Sequence, residues 1–364
     1  MTPLRRADLP TPALVLDLPA LERNVAAMAA WARDKGVALR PHSKTHKSGE
    51  IARRQRAAGA VGICCAKLGE AEALAADGID DILITSPVVP GQAVERLARL
   101  ARTIPRLAVV VDHPDNVDRI AEAVGDGGID VMVDIDPGAH RTGVASASAA
   151  VALAGRIAAS GGLRYRGVQY YCGTLQHVTA AGDRRTALAE RADYLRTILA
   201  ALAAAGLPAE TVTGGGTGSF AIDAELGVLN EFQVGSYIFM DREYRDCEVV
   251  GPTFEQALAI DTRVISVNTP GRVTIDAGLK AMATDAGAPV VLSGTDPASR
   301  YVFMGDEHGM LITPCGGSDP GLGDLVTLVP PHCDPTVNLY DRYVVVKGDA
   351  VVAFWPVTAR GRSA

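Results

Sequence analysis

Several features are missing from this 364-residue chain, and each absence closes off a class of function. There is no basic excess. Its 35 lysines and arginines stand against 42 aspartates and glutamates, a formal net charge of −7, whereas a nucleic-acid partner needs a basic face for its phosphates. No run of apolar residues is long enough to cross a membrane. The first residues, Met1 to Asp8, hold two arginines but no apolar signal core follows, and Asp17 and Glu22 break up the next stretch, so export is not expected. The six cysteines (64, 65, 172, 247, 315 and 333) show no C-x-x-C spacing, which fits a reduced, cytoplasmic chain. Cys64-Cys65 lies in an apolar run and reads as a pair of small buried thiols. No low-complexity tail or linker is present. What remains is an ordinary globular composition, 48% apolar, long enough for one large α/β domain and a smaller one.

From residue 14 to 245 the pattern is a short apolar run, a turn and a helix, repeated. The runs are 37–39, 61–65, 81–85, 107–111, 131–135, 167–171, 211–213 and 232–238, and amphipathic segments such as 51–58, 93–102 and 184–205 separate them. Strands alternating with helices imply a parallel sheet, and eight of them predict a closed (β/α)8 TIM barrel. After residue 246 helical patterns become scarce. Short β-rich runs punctuated by Pro and Gly predict a compact antiparallel β-domain over 246–364, joined by residues 1–13 as a further strand.

Barrels of this kind place their chemistry just beyond the C-terminal ends of the strands. The first run leads into Arg40-Pro41-His42-Ser43-Lys44-Thr45-His46-Lys47, read either as a solvated basic loop or as an amine placed to form an imine. The fifth leads to Arg141, the sixth to Tyr171 and His177. The seventh leads to Thr213-Gly214-Gly215-Gly216-Thr217-Gly218-Ser219 and the eighth to Gly235-Ser236-Tyr237. A glycine run lets backbone N–H groups turn inward to an anion, although a plain tight turn uses the same residues. It is not a Walker loop, since no Gly-Lys-Ser/Thr follows. A phosphate cradle beside a lysine suits pyridoxal 5′-phosphate, with Arg141 and Tyr171 toward its ring and phenolic oxygen. A salt bridge to Asp134 or Asp136 is the structural alternative for Arg141, and rim packing that for Tyr171. In the β-domain, His332 and Asp334 at i and i+2 would share one face of an extended strand and suit a divalent ion, or serve structure alone. Gly305-Asp306-Glu307-His308-Gly309 offers more polar groups nearby or a surface turn.

Taken together and in order, these motifs, with Val168 to Gly173, Gln176-His177, Gly235 to Asp241 and Pro331 to Asn338, resemble the D-threonine aldolase and eukaryotic-type D-serine dehydratase family. The resemblance implies a fold-type III pyridoxal-phosphate enzyme related to alanine racemase and usually dimeric. It implies Lys44, rather than Lys47, as the Schiff-base lysine and Arg141 as partner of the phenolic oxygen. Tyr171 is implied near the pyridine nitrogen, with Gln233 as rival. Gly216, Thr217, Gly235, Ser236 and Tyr237 are implied around the phosphate, His332 and Asp334 as metal ligands, and His177 as the base. Dehydratase members carry His-x-Cys and aldolase members His-x-Asp; Asp334 therefore favours an aldolase that releases glycine and an aldehyde from a D-β-hydroxy-α-amino acid. A carboxylate ligand suits Mn²⁺ or Mg²⁺ ahead of Zn²⁺, with Co²⁺ also compatible. The alternatives are a 3-hydroxy-D-aspartate aldolase, with Arg242 or Arg245 receiving the distal carboxylate, and a D-serine, D-threonine or 3-hydroxyaspartate dehydratase. A cofactor carrier without metal chemistry is the non-enzymatic alternative.

Overall fold

The computed structural model describes residues 4–317 and 319–364. Strand β1 (Ala13–Asp17) is followed by the long helix Leu18–Lys35. Asp17 caps that helix by accepting the Ala20 N–H at 2.9 Å, Pro19 stands in its first turn, and Gly36 in the left-handed region (φ 65°) ends it.

Eight parallel strands follow: β2 (Ala38–Leu39), β3 (Ile63–Cys65), β4 (Asp81–Ile84), β5 (Arg106–Val111), β6 (Ile129–Ile135), β7 (Leu163–Tyr170), β8 (Thr211–Gly214) and β9 (Glu231–Phe232). They lie in the order β2-β9-β8-β7-β6-β5-β4-β3. The two ends of that order meet. Val61 donates to Leu39 O and Cys64 to Pro41 O, each at 2.8 Å, and His42 bridges Cys64 in parallel register, so the sheet closes into the predicted barrel. Its strands are buried on both faces, as Val- and Ile-rich sequences require. Cys64, Leu83, Val110 and Met132 fill the interior, and the larger core lies between strands and helices. The last barrel strand is shorter than its apolar run suggests: β9 stops at Phe232, and Ser236–Ile238 forms a 3-10 turn.

The second sheet has nine antiparallel-rich strands. They are β1, β10 (Leu258–Thr269), β11 (Arg272–Ile275), β12 (Val290–Ser293), β13 (Arg300–Phe303), β14 (Gly309–Ile312), β15 (Leu325–Val329), β16 (Arg342–Lys347) and β17 (Ala350–Pro356). β1 pairs antiparallel with β10 and parallel with β16. A division of the chain at residue 14 therefore cuts through this strand, whose apolar residues serve the second sheet. Arg6, just before it, holds Asp261 of β10 at 2.5 Å. The turn 305–309 is the β13–β14 hairpin, with Asp306 and Glu307 exposed to solvent and paired with Lys280.

The two units are stitched at the mouth of the barrel. Tyr343 Oη of β16 donates to His46 O at 2.6 Å, and Ala359 N donates to Lys47 O at 3.0 Å. The short helix Cys333–Val337 packs on the 3-10 turn Ser43–Thr45.

Candidate active site

Lys44 sits in the turn Ser43–Thr45, which is fixed from below. Ser43 Oγ lies 2.8 Å from both Cys64 O and the buried Glu70 carboxyl, sharing its one O–H between them, and Glu70 also accepts the Ala66 N–H. His42, buried and capping the turn, accepts the Lys44 N–H at Nδ1 and meets Thr85 Oγ1 at 3.0 Å through Nε2. Burial and the Lys44 charge push His42 well below the usual histidine range, so it is neutral.

Above this turn opens a cavity of about 500 Å³ at the C-terminal end of the barrel. Lys44, Arg141, Tyr171, Gly216, Thr217, Gln233, Gly235 and Ser236 all line it. Arg141 makes no ion pair with Asp134 or Asp136. Asp134 accepts from Gln169 at 2.9 Å, and Asp136 is taken up by His140 and the N–H groups of 138–140. Arg141 instead stacks over the Tyr171 ring, its Cζ 5.4 Å from the centroid, with Lys44 Nζ 5.8 Å from the same ring. Gln233 Nε2 is spent on Gln169 and Thr213, deeper in the barrel.

The loops after β8 and β9 form one wall. A Cβ on Gly216 would meet Gln176 Oε1 at 2.5 Å, and one on Gly235 would meet Thr45 Oγ1 at 2.5 Å, so only glycine lets the backbone approach there. Among the described residues the N–H groups of Thr217, Gly235 and Ser236, all residues of this wall, find no protein acceptor. A phosphate fits such donors. Tyr237 differs from its neighbours. Its side chain is buried away from the cavity, with Oη against Gln55 Nε2 at 3.2 Å, and it reaches the wall only through its N–H, which donates to Thr217 Oγ1 at 3.0 Å.

His332 and Asp334 are not on an extended strand. His332 is the N-cap of the helix Cys333–Val337 and Asp334 lies in its first turn. Pro335 is tolerated there because first-turn N–H groups have no intrahelical acceptor. Asp334 reaches Lys44, with Oδ2 3.4 Å from Nζ of the same chain, and Ser236 Oγ stands 3.4 Å from its Oδ1. Burial opposes ionisation of Asp334, but the charges of Lys44 and His332 outweigh it and hold its pKa at about 2. Burial likewise opposes the charge on Lys44, and Asp334 and Tyr171 together raise its pKa above the ordinary lysine value. Positive neighbours therefore do not free this amine. Arg40 is remote from it, bound to Asp81 and Glu231 at the opposite mouth of the barrel.

His332 Nδ1 meets Asp285 Oδ2 at 2.7 Å and Glu243 Oε2 at 3.7 Å. Burial alone would lower its pKa; Asp334, Asp285 and Asp241 reverse the direction. Neither Asp285 nor Glu243 stands in any motif, and only the fold brings them here. His177 lies beside them, its Nδ1 3.8 Å from Glu243 Oε1 and its ring packed on Tyr244, 4.5 Å between centroids. Burial lowers its pKa. Among the described residues no three His, Cys, Asp or Glu side chains are gathered as a metal site, so His332 and Asp334 offer an imidazole and a carboxylate but not a closed ligand set.

Arg242 is engaged by the carbonyls of Ala286 and Ala288 and by Asp246. Arg245 lines a separate cavity of about 250 Å³.

The family model for the N-terminal domain of alanine racemase matches residues 16–243, and a serine dehydratase domain model matches 257–346. The chain is 42% identical to a D-threonine aldolase of Arthrobacter, covering 99% of this chain and 95% of that one. It is 40% identical to a 3-hydroxy-D-aspartate aldolase of Paracoccus denitrificans, covering 98% and 93%. The crystal structure of a D-threonine aldolase from Filomicrobium marinum superposes with a TM-score of 0.95 at 43% identity, over 100% of this chain and 98% of that one.

Proposed function

The chain belongs to the D-threonine aldolase and D-serine dehydratase family, built on the alanine racemase barrel, and from that premise we propose that it is a carbon–carbon lyase. It cleaves D-β-hydroxy-α-amino acids of the D-threonine kind to glycine and an aldehyde, with pyridoxal 5′-phosphate carried on Lys44. The observation that supports this best is the 3.4 Å approach of Lys44 Nζ to Asp334 Oδ2, which sets the β-domain acid against the barrel lysine.

When bound, pyridoxal phosphate supplies an electron sink for the pair left on Cα. Lys44 would anchor it, Arg141 would take its phenolic oxygen, and Tyr171 would serve the pyridine nitrogen. Gly216, Thr217, Gly235 and Ser236 would hold its phosphate, with the Tyr237 N–H orienting Thr217 Oγ1. A divalent ion at His332 and Asp334, manganese first with magnesium, cobalt and zinc as alternatives, supplies a Lewis acid for the substrate hydroxyl. His177 is the general base. With Nδ1 turned to Glu243, Nε2 is the nitrogen left to take the β-hydroxyl proton, and burial keeps the ring neutral for that task. The Cα–Cβ bond then breaks with its electron pair on Cα, the aldehyde leaves, and a proton returned to Cα gives glycine. The same reading makes the enzyme a cytoplasmic homodimer; its six cysteines are all unpaired, and no described helix is long and apolar enough to cross a membrane.

The test is the product pair from D-threonine. Glycine and acetaldehyde are expected. Ammonia and 2-oxobutyrate would make the chain a dehydratase instead.

A further inference from the structure

We propose that Lys67 receives the α-carboxylate of the amino-acid substrate; this rests on the lyase reading above. Lys67 stands just beyond β3, as the residue before helix Leu68–Ala76, and its side chain lines the Lys44 cavity from an exposed position at the rim. Among the described residues it forms no salt bridge within 4.0 Å.

The charges in the cavity leave it this role. Lys44 is taken by the cofactor, Arg141 stacks on Tyr171 and faces the cofactor ring, and His42 is buried and neutral. Every substrate of this class nevertheless brings a carboxylate on Cα that must be matched when it leaves water. Asp112, the acid nearest in the chain order of the rim, is held by the Gly143 N–H at 3.0 Å.

Topology gives the direction. In the ring β2-β9-β8-β7-β6-β5-β4-β3, β3 and β7 are four strands apart and so face each other across the mouth. His177 follows β7 and draws the hydroxyl-bearing Cβ to its side. On the opposite, β3 side of the mouth Lys67 stands with Ser86 of the β4 loop, a cation and a hydroxyl placed where the carboxylate of the same Cα can be received. A flexible ammonium with three donors suits a carboxylate at a half-open rim.

The test uses the holoenzyme and Lys67→Ala, with Lys67→Arg as the charge-preserving control. For Lys67→Ala, KM for D-threonine is expected to rise about tenfold with kcat within about twofold, and Lys67→Arg to recover most of it. Titration of the cofactor absorbance with D-alanine should weaken about tenfold in Lys67→Ala, while D-alaninol, which lacks the carboxylate, should bind as to the wild type. An unchanged KM, a loss in kcat alone, or equal weakening of D-alanine and D-alaninol would overturn the assignment. If the wild type releases no glycine from D-threonine, the lyase reading fails, and the two titrations still decide the role of Lys67.

Discussion

Asp223 lies directly behind the glycine loop and is 8% exposed; its Oδ2 is 3.1 Å from where a Cβ on Gly215 would stand. Burial raises its pKa from 3.8 to about 7, and a hydrogen bond with Ser219 only partly opposes this. A carboxyl whose folded pKa is raised supports folding fully only below its unfolded pKa, and that support is lost as pH rises through the window from 3.8 to about 7. At 1.36 kcal/mol per pKa unit, the cost of Asp223 is about 4 kcal/mol at pH 8 and under about 2 kcal/mol at pH 5. Asp223→Asn resembles the protonated acid and removes the pH-dependent part. An unfolding entropy of about 2.1 cal/mol/K per residue converts the difference of roughly 2–3 kcal/mol into a Tm gain about 3 °C larger at pH 8 than at pH 5. Scanning calorimetry of both proteins at the two pH values, at one scan rate, measures it. Any constant packing effect of the amide cancels. A gain that is the same at both pH values, or larger at pH 5, would refute the reasoning.

Two further perturbations bear on the cavity itself. Gly235→Ala keeps an accessible backbone (φ −121°) but places its Cβ 2.5 Å from Thr45 Oγ1, so it should displace the Lys44 turn and weaken pyridoxal phosphate binding at least about tenfold by absorbance titration, with Thr45→Ala restoring much of it. Burial lowers the pKa of His177, so kcat/KM for D-threonine should climb along an acid limb centred below 6.5, and His177→Ala should cost roughly 10²–10⁴ in kcat; a limb above 6.5 would take the base role from this residue.

Much of the barrel was legible because its signals are local. Apolar runs of three to seven residues and the helices between them carry their period in the sequence, and the glycine loops and Lys44 fall where barrel topology puts functional groups. Where pairing is long-range, that legibility ends. Nothing in Ala13–Asp17 says that it pairs with β10 and β16, and β12 and β14 are four residues each, too short for a pattern to rise above their turns. His332 to Asp334 misled for a different reason. Flanking prolines suggested an extended segment, yet a proline at the third helical position forgoes no helical bond, and a short helix won. Asp285 and Glu243 were invisible because they reach His332 from separate places in the chain, a turn and the short helix Arg242–Arg245. Tyr237, next to Ser236, was drawn in by adjacency, while the 3-10 turn aims its ring at Gln55.

Everything proposed for the cavity depends on Lys44 being the amine that carries the cofactor. Borohydride reduction of the enzyme loaded with pyridoxal phosphate, followed by digestion and mass spectrometry, locates that amine. The account predicts a pyridoxyl adduct on the peptide bearing Lys44, at Lys44 itself, and none in Lys44→Ala. An adduct on Lys47 or Lys67, or one that persists in Lys44→Ala, would contradict it.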